Sequence, residues 1–352
     1  MTECKQALDT IIRKSRIHLY KPIQIAEILY AHRTGVKFNP LDLESYRNES
    51  KKWRDTVTNR LVGRASTSSQ KFQDNLFGEN AISPRLLKGL CDINESTGGM
   101  VEAYIYFQFQ NKLSEVSEAA EYVRNTEYER FDLRCFISMF SERPGLKRSI
   151  DKVFEIVVYA LFETIVETLD VKIRVEVNPS KKDIAKEFEE FSRLVLGIEV
   201  GLSNTDDATF YRVGVTNAAD RGLDMWANFG PAIQVKHISL DLKTAANVVT
   251  GIESNRIIIV CKTCDERTIK SIVSQIGIRI RGIVTEETLD SWYDIALRGK
   301  YSDMMGELLM DYLLQQMSKE FPSQDGSLDE FMKGRGYDKK DITWETGAIN
   351  PK

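Results

Sequence analysis

Two short strands are predicted in the stretch AADRGLDMWANFGPAIQVKH, residues 218–237, which decides the fold of the chain. The turn signal Asn-Phe-Gly-Pro at residues 228–231 joins them. Because side chains alternate along a strand, Gln234 and Lys236 share one face, and the apolar residues beside them share the other. Alternation separates Asp224 from its apolar neighbours in the same way. The hairpin is therefore expected to present a carboxylate, an amide and an ammonium on its polar face.

These three groups together have the chemistry of a metal-dependent hydrolase. Carboxylate and amide oxygens hold a hard cation such as Mg²⁺. A lysine beside a metal can orient an attacking water or stabilise charge on a phosphate. From spacing alone, ordinary solvated residues on an exposed strand face are the simpler interpretation of Asp224, Gln234 and Lys236. Asp220, which precedes Arg-Gly in a predicted loop, is the rival to Asp224 as a metal ligand.

The same residues resemble a known nuclease motif. Asp224, followed by nine residues and then QVK at 234–236, resembles the PD-(D/E)xK motif with Gln at the Asp/Glu position. The runs KPIQIAEILY at 21–30 and RGLD at 221–224 are similar to type II restriction endonucleases of the HaeII family, and this resemblance covers most of the chain. A neutral glutamine amide holds a cation less strongly than a carboxylate does. Either another carboxylate assists, or metal affinity is modest.

The resemblance implies an α/β fold of the PD-(D/E)xK restriction-endonuclease type, a mixed sheet flanked by helices. It also implies Mg²⁺-dependent hydrolysis of double-stranded DNA, with Asp224 and Gln234 as metal ligands and Lys236 positioning the water. In such enzymes the helix before the sheet often adds a carboxylate, for which Glu155 and Glu163 are candidates. Both belong to a row of acidic residues spaced by multiples of four along the predicted helix. A core helix with one solvent-facing side would have the same row.

The family resemblance also implies a homodimer that reads a short palindromic, GC-rich site, since symmetric sites mirror symmetric proteins. The N-terminal region is the predicted DNA-recognition region. Residues 1–72 contain 14 Lys and Arg against 7 Asp and Glu, a surplus of +7, so the remainder carries −11 to give the overall −4. Solvated lysines and a flexible connector would give the same pattern. The predicted DNA contacts, in a helix at 43–62 and the loop after it, are Lys51, Lys52, Arg54, Arg64, Ser68 and Lys71.

Composition is typical of a soluble globular protein with one large or two ordinary domains: 352 residues, 42% hydrophobic and 28% charged. No apolar run reaches the ~18 residues that span a membrane, and the first residues lack the apolar core of a signal peptide. Five scattered cysteines fit a reducing compartment. We therefore expect a cytoplasmic protein with no membrane segment.

Apolar periodicity divides the chain into three predicted regions. Residues 1–143 are expected to be helical and basic, 144–321 to form a nuclease core with C-terminal helices, and 322–352 to form a loosely ordered polar tail. The strands predicted in the core are 171–177, 211–215 and 256–261, and its helices are 146–169, 181–196, 241–251, 268–276 and 289–321.

Two other functions stay open on the sequence. A DNA-binding protein with a degenerate, non-catalytic nuclease core is supported by the neutral Gln234. A metabolic α/β enzyme is the third hypothesis, but the sequence contains no Gly-rich phosphate loop or other cofactor motif to support it. Cleavage of DNA separates the first hypothesis from both alternatives.

Overall fold

A computed structural model describes residues 2–66, 73–79, 81–198, 203–213, 223–252, 254, 256–276, 279–340 and 344. These residues form two compact units. The helical unit comprises those of Met1–Val153 and Leu314–Lys352, and the sheet unit those of Phe154–Val213 and Asp220–Leu313. Among the described residues, no helix has the length and apolarity that crossing a membrane requires.

The helical unit is built around one buried helix, α2 (Tyr20–Arg33), whose residues from Pro22 to Leu29 are all buried. A helix that is apolar nearly all round must lie inside a bundle, and the other helices of the N-terminal region pack against it or against one another. They are α1 (Thr2–Lys14), α3 (Arg47–Val62), α4 (Pro84–Ser96), α5 (Met100–Asn125) and α6 (Leu133–Ser141). The predicted helical character of the N-terminal region is confirmed for its described residues.

The sheet unit contains a five-stranded mixed sheet and a separate two-stranded ribbon. In the sheet, β3, β4 and β5 are antiparallel, while β5, β6 and β7 are parallel, in the spatial order β3-β4-β5-β6-β7. The ribbon pairs β1 (Lys172–Glu176) with β2 (Ser203–Asp207). The sheet strands are β3 (Phe210–Arg212), β4 (Met225–Ala227), β5 (Ala232–Ser239), β6 (Ile257–Thr263) and β7 (Ile280–Thr285).

Helices cover both faces of this sheet, which a parallel pairing requires because each parallel strand is reached by a crossover. On β5, Ile233 and Val235 are buried on one face, and the ring of His237 on that face contacts Phe154 of the preceding helix. Ala232 joins the apolar cluster on the other face. The helices of this part of the chain, of which α8 and α9 lie outside the sheet's cover, are α7 (Ile150–Thr168), α8 (Lys182–Glu187), α9 (Glu189–Leu196), α10 (Leu242–Gly251), α11 (Glu266–Ile276), α12 (Glu286–Arg298) and α13 (Ser302–Glu320). The predicted α/β class, a mixed sheet flanked by helices, is confirmed.

Several elements of the described residues differ from the sequence prediction, including the unpredicted strand β2 (Ser203–Asp207). Strand β7 was not predicted, because Gly282 interrupts its apolar residues and lowers its strand propensity. The predicted helix 289–321 is two helices, α12 and α13, separated at Gly299, where an added Cβ would meet the carbonyl oxygen of Ile295 at 2.3 Å. The predicted helix 181–196 is divided at Phe188, whose ψ of 41° is not helical.

The C-terminal segment is folded where it was predicted to be loosely ordered. Residues Ser327–Gly334 form helix α14, which buries Leu328, Phe331 and Met332, and Tyr337 beyond it is fully buried. The prediction of a loose tail is wrong for these residues, because three spaced apolar side chains in a polar sequence are enough to dock one short helix. As domain boundaries, the divisions after residues 143 and 321 stay predictions.

A buried polar network ties this segment to the helical unit. Both guanidinium Nη atoms of Arg335 donate to the carboxylate of Glu27, at 2.7 and 2.9 Å, and the hydroxyl of Tyr337 donates to Glu102. Arg33 donates two hydrogen bonds of 2.9 Å to the same Glu102. Both carboxylates are buried, so each depends on its guanidinium partner for compensation.

We expect Arg335→Ala to lower the free energy of unfolding by about 3–5 kcal/mol, because it leaves the carboxylate of Glu27 buried without its cation. Chemical denaturation followed by circular dichroism measures the change. The control is Arg130→Ala, which breaks an exposed ion pair with Glu127 and should cost less than about 1 kcal/mol. Equal losses in the two variants would contradict this role for Arg335.

Candidate active site

The pairing of β4 with β5 brings Asp224 and Gln234 into direct contact. Asp224 lies immediately before β4, and its backbone N–H donates to the carbonyl oxygen of Ile233 at 3.2 Å. Its carboxylate oxygen Oδ2 accepts a hydrogen bond of 2.8 Å from the backbone N–H of Val235 and a second one from Nε2 of Gln234. Two of the three residues predicted from the sequence are therefore adjacent.

This contact fixes the orientation of the Gln234 amide. A carboxylate can only accept, so the amide nitrogen of Gln234 faces Asp224 and the amide oxygen is at the opposite end of the group. The side chain is 2% exposed, so the orientation is set inside the protein rather than by solvent. A glutamate at this position would instead place two carboxylates in contact, and each would raise the pKa of the other.

Lys236 lies two residues after Gln234 on β5 and therefore on the same face of the strand. It is half-buried. Within the part of the chain that the structure describes, its ammonium forms no ion pair. His237, the next residue, turns to the opposite face, where its Nε2 contacts Glu286 at 3.0 Å. The histidine is thus part of the core and lies away from the polar face.

The two helix carboxylates proposed as extra ligands have different environments. Glu163 is used structurally, since its oxygens accept hydrogen bonds of 2.5 Å from Thr209 Oγ1 and 2.7 Å from the backbone N–H of Phe210 at the start of β3. Glu155 is 3% exposed and lies 3.6 Å from the guanidinium of Arg212 at the end of β3. Val213, the residue after Arg212, donates its backbone N–H to the carbonyl oxygen of Asp224 at 2.9 Å. The register of β3 with β4 and β5 puts Arg212 in line with Met225 and Ile233, so this ion pair lies on the sheet face opposite Gln234. Glu155 stays a prediction as a metal ligand.

The donor set fits a hard divalent cation. Asp224 and Gln234, which are in contact, both offer oxygen atoms, which Mg²⁺ prefers, and neither is a sulfur or imidazole ligand. Among the described residues, no group of three His, Cys, Asp or Glu side chains forms a metal cluster without the amide. The rival ligand Asp220 lies outside the described residues. The sequence analysis did not single out Arg212, because it belongs to no motif and is marked only by its position at the end of a strand.

The predicted DNA contacts on α3 have unequal exposure. Lys52 is 71% exposed and pairs with Glu49 at 2.6 Å, a contact that a phosphate could replace. Lys51 is mostly covered and pairs with Asp74 at 3.0 Å. Arg54 is 2% exposed and donates hydrogen bonds to Gln24 and to its neighbour Asp55. The structure therefore places only Lys52 of these three on the open surface.

A basic cavity of about 340 Å³ lies in the helical unit. Arg64, another predicted contact, lines it and donates to His18 Nε2 and to the backbone carbonyl of Glu320 at 2.5 Å. Burial and the nearby arginines Arg64 and Arg16 lower the pKa of His18 to about 3, so the imidazole is neutral and accepts from Arg64. The cationic residues that line the cavity are Lys14, Arg16, Lys21, Arg54, Arg64 and Lys152.

Sequence reasoning missed most of this cavity, because its cations come from three separate segments. Lys14, Arg16 and Lys21 flank the break between α1 and α2, where Leu19 has a left-handed φ of 44°. The surplus of Lys and Arg in residues 1–72 was the available signal, but it did not predict which of these residues lie together. Two predicted contacts, Ser68 and Lys71, lie outside the described residues.

Comparison with known proteins places these features in one family. The family model of the HaeII restriction endonuclease matches residues 4–337. The chain is 48% identical over 339 residues to the type II restriction enzyme HaeII of Haemophilus aegyptius, covering 95% of this chain and 96% of that protein. It is also 48% identical over 340 residues to the type II restriction enzyme NgoBI of Neisseria gonorrhoeae, covering 96% and 97%. No solved structure matches. The resemblance read from the sequence is confirmed: the chain belongs to the HaeII restriction endonuclease family.

Proposed function

We propose that the protein is a type II restriction endonuclease that cuts both strands of a short palindromic DNA site in the cytoplasm, as a homodimer and with Mg²⁺ as its cofactor. Membership of the family makes it a site-specific DNA endonuclease, an enzyme that hydrolyses phosphodiester bonds. The observation that carries the site assignment is the contact of Asp224 with Gln234 on the strand that also presents Lys236. A GC-rich centre of the palindrome is proposed from the family resemblance.

In this proposal Asp224 and the amide oxygen of Gln234 hold the cofactor. The further carboxylate that a neutral amide calls for would come from Glu155 only if its side chain leaves Arg212. When bound, Mg²⁺ lowers the pKa of a coordinated water and offsets the charge of the scissile phosphate. Lys236 positions the attacking water and stabilises the negative charge that develops on the phosphate oxygens. The Val235 N–H and the Gln234 amide hold the Asp224 carboxylate in one orientation, so little reorganisation precedes the reaction.

The basic cavity is the region of the helical unit best suited to DNA phosphates. Among the described residues, six cationic side chains and one carboxylate, that of Glu320, line it, and His18 stays neutral there. Contacts to phosphates supply affinity and register, while base edges supply specificity. We propose that Arg64 and its neighbours in the cavity, together with Lys52 on the surface, bind the DNA backbone, and that Ser68 and Lys71, which lie outside the described residues, also contact DNA.

We expect Asp224→Ala and Lys236→Ala each to lower cleavage of plasmid DNA by roughly 1,000-fold or more while leaving DNA affinity nearly unchanged, because each removes a group that acts on the reacting phosphate. Gel analysis of cleavage and a filter-binding assay measure the two effects. Lys243→Ala, an exposed lysine on α10, is the control and should cut normally. Full cleavage by either site variant would reject the assignment, and intact DNA bound by the unaltered protein with Mg²⁺ would favour a non-catalytic DNA-binding protein.

We expect Gln234→Glu to lower the melting temperature in EDTA by about 2–6 °C, since one pKa unit of repulsion between two carboxylates costs about 1.4 kcal/mol. Repulsion raises the pKa values of both acids, so the loss is present above these values and disappears as pH falls and one acid becomes protonated. Mg²⁺ should restore the melting temperature of Gln234→Glu more than that of the unaltered protein. Gln234→Leu, which cannot regain stability with Mg²⁺, is the matched control. A Gln234→Glu protein as stable as the parent in EDTA would contradict this geometry.

We expect Arg16→Ala and Lys14→Ala to weaken DNA binding to every sequence alike, and each to reduce the slope of log affinity against log salt by about 1, because each removes one phosphate contact. Fluorescence anisotropy at several salt concentrations measures the slope. Arg85→Ala, an exposed arginine of α4 that pairs with Glu3, serves as the control. An unchanged slope in both cavity variants would remove the cavity from the DNA-binding surface.

A further inference from the structure

The sheet unit carries an arm that has almost no core of its own. The arm is defined as Lys172–Asp207 and consists of β1, α8, α9 and β2. Of its described residues, only Ser192 and Ile198 are buried. A two-stranded ribbon is marginally stable by itself and needs further packing. Packing against another surface would therefore stabilise the arm.

One side of the arm is an exposed apolar stripe. Phe191, Leu194 and Val195 share one face of α9 at the spacing i, i+3, i+4, and Ile184 of α8 and Phe188 at the break between the helices lie beside Phe191. Each of the five exposes between 53% and 64% of its surface. The stripe borders an apolar hollow of about 400 Å³. Monomeric proteins rarely expose contiguous apolar surface of this kind without a partner. The members of the stripe are Ile184, Phe188, Phe191, Leu194 and Val195.

The same unit also has an apolar groove, formed between α7 and α12. It has a volume of about 420 Å³, with an almost wholly apolar lining. Ile165 and Val166 line it from α7, and Trp292 and Ile295 line it from α12. Ile295 is 62% exposed, so the groove is open to an incoming side chain. An amphipathic helix laid into such a groove is a recurring mode of protein recognition.

We propose that the protein dimerises by arm exchange, in which the apolar stripe of one copy packs into the α7–α12 groove of a second copy, and the reverse contact forms at the same time. The inference rests on the proposed function, because Asp224, Gln234 and Lys236 form one reaction centre in each chain and a double-strand cut needs two. Twofold symmetry makes the two contacts identical, since each copy gives its stripe and receives the other.

Buried area favours this arrangement over contact between two stripes. Five side chains exposed by a little over half offer roughly 500 Å² on each copy. Stripe against stripe would bury roughly 1,000 Å² in total, which is below the range of about 1,200–2,000 Å² for stable interfaces. In two reciprocal contacts of stripe with groove, the narrow groove adds its own area to that of each stripe, and the total of roughly 1,200 Å² reaches the lower end of that range.

Sedimentation of the full chain without DNA tests the proposal. The unaltered protein should be a dimer, and Leu194→Asp on the stripe and Ile295→Asp in the groove should each weaken dimerisation by roughly 1,000-fold or more, because each variant damages both symmetric contacts. Leu41→Asp, at an exposed apolar residue of the helical unit, is the control and should stay dimeric. A monomeric parent protein, or a dimer unaffected by either variant, would overturn the proposal.

Cross-linking then identifies which surfaces meet. In a Cys135→Ser background, which removes the exposed native thiol, Leu194→Cys and Ile295→Cys should form a disulfide only when the two variants are mixed. A disulfide formed by Leu194→Cys alone would show stripe against stripe and overturn the groove contact. Neither experiment uses cleavage as its readout, so a dimer of this form that cuts no DNA would refute the proposed function and leave the interface standing.

Discussion

The register between β4 and β5 is the constraint on which the candidate site depends. It places the Asp224 carboxylate against the backbone of Val235 and the amide of Gln234. A shift of one residue would turn Gln234 and Lys236 to the other face and bring Ile233 and Val235 out of the core. Burial of those two apolar residues therefore holds the polar ones in position. The hydrophobic packing of the sheet therefore fixes the relative positions of Asp224, Gln234 and Lys236.

Glutamine at position 234 changes the electrostatics of the unloaded site. With a second acid, two carboxylates would share a mostly buried contact and favour protonation of one of them. With an amide, the contact becomes a hydrogen bond to Asp224, and one ammonium from Lys236 lies on the same strand face. Glu155, the predicted additional carboxylate, pairs with Arg212 in this structure. The hydrogen bonds of the candidate site, from Val235 and Gln234 to Asp224, are thus formed within the chain.

Local pattern was enough to predict the hairpin, the alternation of β5, the helical N-terminal region and the fold class. Alternation predicted correctly that His237 would face away from Gln234. In the structure its ring contacts Phe154. The features that were missed depend on residues far apart in the chain. Cations from separate segments converge on the basic cavity, and Arg335 finds Glu27 across the length of the sequence. Spacing within one segment carries no information about such partners.

The helical unit is discontinuous along the chain, since its first part is followed by the sheet unit and is completed by helix α14 and Tyr337. On the ribosome, Glu102 can pair with Arg33 early, but the guanidinium that pairs with Glu27, that of Arg335, is translated only after the sheet unit. The helical unit consequently cannot complete its buried polar network before the sheet unit has been synthesised. A fragment that stopped within the sheet unit would bury the carboxylate of Glu27 with the hydroxyl of Tyr106 but without the cation of Arg335.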